Sequence, residues 1–109
     1  MPDRRAPARH EIPDVDAAAL EAARAADRLL AAAREAGSER WTRYLAALPD
    51  RLRDEPLPGL RSAARVGRAA FGPKDSIREA LPEAVTEPFL DAIDRLLKLI
   101  ARWEVNRGG

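Results

Sequence analysis

The sequence predicts an all-α protein: a small helical bundle in which two long antiparallel helices, at about 15–36 and 87–106, pack with shorter middle helices. Two observations predict this class. Apolar residues recur at alternating steps of three and four in two long segments, which is the spacing of one helix face. No useful length of sequence alternates apolar and polar residues with the period of two of a half-buried strand. The length of 109 residues fits one domain.

The first long helix has an apolar seam of mostly small side chains. Asp14, just after Pro13, is its expected N-cap, and Gly37 is its expected left-handed stop. Because alanine leaves space, a neighbouring helix can approach this seam closely. The seam positions are Val15, Ala19, Ala22, Ala26, Leu29, Ala33 and Ala36.

The last helix has the strongest periodicity in the chain and a seam of large side chains. Thr86 is its expected N-cap, with Pro88 tolerated in the first turn. Bulky side chains fill the space that alanines leave, so the two seams predict antiparallel packing of the two long helices. The seam positions are Phe89, Ile93, Leu96, Ile100 and Trp103.

Shorter helices are expected between the long ones. Ser38 is the expected cap of the first, and Pro49 interrupts it. The next helix spans about 60–71 and follows a proline-rich loop. The last of them begins at a capping box headed by Ser76 and ends before Pro82, because the residue before a proline is biased away from helix.

Residues 1–13 contain three prolines and almost no apolar side chains. Such a segment is expected to form a disordered tail, which leaves 14–107 as a single helical-bundle domain.

The composition excludes several classes of protein. The absence of cysteine excludes disulfide frameworks, thiolate nucleophiles and cysteine-ligated zinc. The uncharged apolar runs are far shorter than the ~20 residues that cross a bilayer, and no apolar segment follows the N-terminal charges as in a signal peptide. We therefore expect a cytoplasmic protein without a membrane partner. Seventeen arginines against two lysines are typical of GC-rich codons, such as those of an actinobacterium.

Residues suited to catalysis are scarce. The single histidine, His10, falls in the expected tail. Glu87, Asp91 and Asp94 share one face of the last helix, but the chain has no Glu-x-x-His motif of the kind that completes di-metal sites in bundles. No cluster of glycines precedes a helix to bind phosphate. The sequence therefore predicts a non-catalytic protein without cofactor or metal, and an enzyme is the least favoured alternative.

The middle of the chain is basic. Residues 38–78 carry nine basic and five acidic side chains, a net charge of +4, while the segments before and after are at −1 and −2. This region contains a stripe of arginines spaced along one helix face and two further cations soon after it. The candidate partner-binding residues are Arg61, Arg65, Arg68, Lys74 and Arg78.

These cations have three possible counterparts. Arginine pairs well with phosphate, and 60–81 resembles a helix-turn-helix in outline, so nucleic-acid binding or transcription regulation is one. It is not favoured, because the second helix of that unit is short and has no Asn or Gln to recognise adenine. The others are the acidic last helix of the same chain and an acidic protein partner. A face that contacts only solvent, or pairing with the last helix, is the favoured interpretation.

The last helix also predicts association. Its apolar arc is wide, and a helix that is apolar over more than ~100° needs cover on more than one flank. Nearly half of the hydrophobic residues are alanine, so the core is thin. We therefore expect a protein-interaction or oligomerisation module, most simply a homodimer, or a protein that docks another protein. The expected oligomer seam is Leu90, Leu97 and Trp103. The alternative is cover from within the chain, by Trp41, Tyr44 and Phe71.

Overall fold

The structure is a computed structural model and describes residues 8–108. Over this range it contains helices and no strand, which confirms the predicted fold class. A short 3-10 helix precedes six α-helices in chain order. The elements are the 3-10 helix Arg9–Glu11, α1 (Pro13–Glu35), α2 (Glu39–Leu45), α3 (Leu48–Asp54), α4 (Leu57–Ala69), α5 (Ile77–Ala80) and α6 (Glu83–Gly108).

The two long helices pack antiparallel, as predicted. The start of α1 lies beside the end of α6, because residues 11–15 line one cleft together with Leu99, Arg102, Trp103 and Asn106. The seam of α1 is at most 2% exposed at every position from Val15 to Ala33, and that of α6 is at most 1% exposed from Phe89 to Ile100. The last predicted position of each seam differs: Ala36 is the exposed C-cap of α1, where the helix has already ended, and Trp103 is half-buried. The small-residue seam and the large-residue seam therefore form one core.

The shorter helices complete a four-cornered bundle. α3 packs against α1, α4 packs against α6, and α3 and α4 contact each other, while α2 lies against α1. The predicted inner face of α4 is buried at Leu60, Ala63, Ala64 and Gly67. Because each helix occupies one corner, α1 and α6 each keep one face outside the bundle.

The turn after α1 has the predicted chemistry. Gly37 adopts a φ of +68°, the left-handed conformation that glycine tolerates best. Its N–H donates to the carbonyl of Arg34, and the N–H of Ser38 donates to the carbonyl of Ala33, which together form a Schellman motif. The hydroxyl of Ser38 then accepts the N–H of Trp41 at 3.3 Å and caps α2. This predicted stop and start are confirmed.

Two predicted N-caps are wrong. α1 begins at Pro13 without a side-chain cap, so Asp14 lies inside the helix. A proline at the first helical position needs no hydrogen-bond acceptor for its nitrogen and already has a helical φ, so it can replace a polar cap. α6 begins at Glu83, and Thr86 is an internal residue that is only 1% exposed. Its N–H donates to the carbonyl of Pro82 at 3.1 Å, which adds a turn ahead of the predicted start.

The expected tail, 1–13, is only partly covered by the structure. Residues 1–7 lie outside the described residues. The remainder differs from the expectation: Arg9–Glu11 forms the 3-10 helix, and Ile12 belongs to the core with 8% exposure. The helical domain therefore extends at least to Arg9.

Arg9 attaches this segment to the end of α3. Its Nη1 donates to the carbonyls of Leu52 and Glu55, each at 3.0 Å, and its Nε donates to Asp16 Oδ1 at 2.8 Å. Carbonyls at a helix C-terminus lack partners within the helix and attract cations. A side chain that sequence reasoning assigned to a tail thus holds the first residues of the domain against α3.

Candidate functional site

Two arginines of the basic stripe on α4 form ion pairs with α6. Arg68 Nε lies 2.9 Å from Asp94 Oδ1, and Arg61 pairs with Glu104. These pairs arise because α4 and α6 are in contact and present opposite charges along one line. They match one of the three expected counterparts, the acidic last helix of the same chain.

Arg78 is held in the same way at the other end of α6. Its Nε and Nη2 donate to the two carboxylate oxygens of Glu87, at 2.7 and 2.8 Å. Its guanidinium also lies 5.5 Å from the ring centroid of Phe71. The hydrogen bonds with Glu87 raise the pKa of Arg78, and the same bonds lower the pKa of Glu87. Arg78 therefore holds the segment between α4 and α6 against α6.

The other two candidate partner-binding residues differ from these three. Arg65 and Lys74 are exposed and form no ion pair with another described residue. Arg65 lies in the middle of α4, whereas Lys74 lies in the turn before α5. Of the five predicted cations, Arg61, Arg68 and Arg78 thus form ion pairs within the bundle. Arg65 and Lys74 form none with another described residue.

The residues of the expected oligomer seam do not share one face. Leu90 and Leu97, seven residues apart, lie on the flank of α6 that also carries Asp94 and faces α4. Leu90 is 9% exposed, and Leu97 is a half-buried residue packed against the core. Trp103 lies on the other flank, facing the start of α1. The chain itself thus covers most of the predicted seam.

A cleft of about 250 Å³ lies where the start of α1 meets the end of α6. Its apolar lining includes Ile12 and Val15 from one side and the half-buried Leu99 and Trp103 from the other. Its polar lining consists of Glu11, Asp14, Arg102 and Asn106. The cleft can therefore accept an apolar side chain between charged rims.

Of the residues that line this cleft, the sequence placed Trp103 in the expected oligomer seam, Val15 in the first seam and Asp14 at a helix start. Leu99 lies outside the heptad seam of α6, and Ile12 was assigned to the tail. One signal in the sequence points to Ile12: it is the one large aliphatic residue of the polar segment 2–13, and such an isolated residue needs a buried site. The position of Leu99 can be inferred from that of Trp103, because residues four apart in a helix share a face.

The titratable side chains that line the cleft are Glu11, Asp14 and Arg102. Across the part of the chain that the structure describes, no three His, Cys, Asp or Glu side chains are grouped to hold a metal ion. His10 is exposed on the 3-10 helix. None of the helices in this range is both long and apolar enough to cross a membrane.

Comparisons with protein-family models, with curated proteins and with solved structures find no match to this chain. Its function is therefore argued from its own surfaces.

Proposed function

We propose that this protein is a non-catalytic association module that forms a homodimer through its long helices. The observation that carries the proposal is the cleft between α1 and α6, where Leu99 and Trp103 remain half-buried. Val105, two residues after Trp103, is 73% exposed but points to another side of α6 and does not line the cleft. Half-buried large apolar side chains that share one cleft are typical of a binding surface.

The size of the core supports the same proposal. Seven of the ten buried residues of α1 are alanine. Alanine buries little apolar area, so the surface that a second copy would bury adds a large share to the stability of the fold. A two-fold dimer needs only one self-complementary surface, which makes a second copy the simplest occupant. A different protein is the alternative occupant of the same cleft.

Nucleic-acid binding through Arg61, Arg65 and Arg68 is less well supported. Two of these arginines already pair with α6, so a phosphate would have to displace their carboxylate partners. Binding by phosphate contacts is strongest at low salt. We expect no mobility shift of duplex or single-stranded nucleic acid at low salt. A shift that disappears in Arg65→Glu would favour this alternative over the proposal.

Two half-buried leucines provide the test of the proposed function. Leu99 lines the cleft, whereas Leu97 lies on the flank that faces α4, and both pack against the same core. Leu99→Gln should weaken dimerisation roughly tenfold or more, the effect of losing about 1.5–3 kcal/mol of apolar burial. Leu97→Gln should leave the dissociation constant unchanged. Sedimentation velocity over a range of concentrations measures both.

The matched pair separates association from folding. Both substitutions place an amide where a half-buried leucine was, so they should lower the free energy of unfolding by similar amounts. Equal dissociation constants for the two variants would contradict the cleft as the dimer surface. Weaker association in Leu97→Gln alone would instead place the interface on the flank that faces α4.

A further inference from the structure

The outward faces of α1 and α6 carry rows of charged side chains. All are exposed, and none forms an ion pair with another described residue, in contrast to the cations between α4 and α6. We call these two outward faces together the α1/α6 outer face. The charges that oppose one another on it are Asp14, Glu21 and Arg24 on α1 and Asp91, Arg95 and Arg102 on α6.

Residues of α1 and α6 that lie at the same height along the helix axes, here called level with each other, carry opposite charges. Asp14 and Arg102 line the same cleft, which fixes the register of the antiparallel pair. Each helix rises equally per residue, so Glu21, seven residues along α1, is level with Arg95, seven residues back along α6. Three to four residues further, the signs reverse together: Arg24 on α1 is level with Asp91 on α6.

This pattern is self-complementary under one kind of symmetry. A two-fold axis parallel to the helices places α1 of one copy opposite α6 of the other. The rotation leaves the height of each residue along the axis unchanged. Asp14, Glu21 and Arg24 of each copy then meet Arg102, Arg95 and Asp91 of the other. Opposite charges thus face each other at these three positions along the contact.

Two further exposed cations on this face, Arg28 and Lys98, have no charge level with them. By the same count of residues, Arg28 is level with Pro88 and Lys98 is level with Ala18. Neither cation therefore meets a like charge across the two-fold axis.

The residues beside the charged row of α1 are small and buried. Ala18 and Ala25 follow Asp14 and Glu21 by four residues, so they lie on the same side of α1. Ala18 is 4% exposed and Ala25 is 3% exposed, and both belong to the core of the chain. A second copy on this face would therefore contact the charged rows and the cleft that Leu99 lines, and not these alanines.

We infer that the α1/α6 outer face is the dimer interface, occupied by a second copy of this chain about a two-fold axis parallel to the helices. The inference rests on the proposed function and adds the interface, the symmetry and the charge pairs. The charged rows select the partner and set its register, and the cleft supplies the apolar contact.

The test is a charge exchange between two variants. Glu21→Arg places like charges opposite each other twice in a homodimer, as does Arg95→Glu, and each should weaken self-association roughly tenfold, since exposed pairs contribute about 0.2–1 kcal/mol each. In an equimolar mixture of the two variants, like charges meet only in the homodimers, whereas the mixed dimer restores both opposite-charge contacts. Sedimentation velocity of the mixture should therefore recover the wild-type dissociation constant to within about threefold.

Glu39→Arg and Arg43→Glu are the matched controls. Both residues are exposed on α2, away from the outer face, and the charge changes are identical. These variants should dimerise like wild type, alone and mixed. Circular dichroism checks that all four variants fold.

The outcomes distinguish the inference from the proposed function. If wild type dimerises but the mixture recovers no affinity, the interface is wrong and the association module stands. If wild type stays monomeric at every concentration, both are overturned. Recovery in the mixture alone, with the controls unaffected, supports the inference, because charges that act within one chain cannot be restored by mixing.

Discussion

Gly67 of α4 lies directly against the ring of Phe89 in α6: a Cβ atom at Gly67 would lie 2.9 Å from Phe89 Cζ. Ile93 Cδ1 would be only 3.2 Å away. Phe89 is fully buried and stacks on Phe71 with 6.1 Å between ring centroids, so it cannot move aside freely. The close approach of α4 to α6, and with it the ion pairs between them, depends on the absence of a side chain at this position.

Gly67→Ala should therefore destabilise the fold. Overpacking a buried contact costs about 1–3 kcal/mol, whereas alanine gains about 1 kcal/mol over glycine in a helix, so we expect a net loss of about 1 kcal/mol. Urea unfolding of the variant measures it. Gly72→Ala is the control, since its added Cβ meets nothing closer than 3.8 Å. A Gly67→Ala variant more stable than wild type would contradict this prediction, because it would show that Phe89 moves to make room for the added methyl group.

The seam of α6 should lose far more stability than its outward face. Leu96 is fully buried and Ile100 is 1% exposed, so truncating either to alanine should cost ~2–5 kcal/mol. Asp91→Ala, on the exposed face, should change the free energy of unfolding by less than ~0.5 kcal/mol. Urea melts of the three variants at one low protein concentration compare them. Equal losses would mean that the assigned helix phase is wrong.

Arg9 should contribute to stability although it lies near the chain start. Its side chain is 12% exposed, and it donates to two carbonyls at the end of α3 and to Asp16. Hydrogen bonds that involve a charged group contribute about 1.5–3 kcal/mol, so Arg9→Ala should lower the free energy of unfolding by roughly this amount. Arg43→Ala, at an exposed position of α2, should have almost no effect. A neutral Arg9→Ala variant would contradict the anchoring of residues 9–13.

The pair of Arg78 and Glu87 should appear in the pH dependence of stability. Arg78 lowers the pKa of Glu87 in the folded protein. The stabilisation is therefore complete above the ordinary glutamate pKa of about 4.3 and is lost as the pH falls through the lower pKa of the folded state. Glu87→Gln should be less stable than wild type at neutral pH, and the difference should shrink as the pH falls through the lowered pKa of Glu87. A stability difference that is constant with pH would contradict the pairing.

The sequence predicts the fold well because each long helix has an apolar seam that continues over several turns. The alternation of small residues in α1 and large residues in α6 implies their packing without any other information. The Schellman turn at Gly37 and the N-cap at Ser38 depend only on neighbouring residues, so they can be predicted from the sequence equally well. The start of α6 is less so, since Thr86 has the residue type of a cap but is buried by tertiary packing.

The candidate site is less predictable because it depends on which surfaces meet. The stripe of Arg61 and Arg68 looks available in the sequence, and only the position of α6 shows that carboxylates occupy it. Leu99 widens the apolar arc of the last helix in the sequence, but only the structure shows that Ile12 lines the same cleft. The charge pattern of the outer face is visible in the sequence, but its register follows from the antiparallel pairing of α1 and α6.

Sedimentation equilibrium of the wild-type chain at micromolar concentrations tests the central claim, self-association, most directly. We expect the average mass to rise with concentration from 12.0 kDa towards twice that value. The rise should weaken at higher ionic strength, because salt screens exposed charge pairs. A mass of 12.0 kDa at every concentration, together with a urea midpoint that does not depend on protein concentration, would contradict the account.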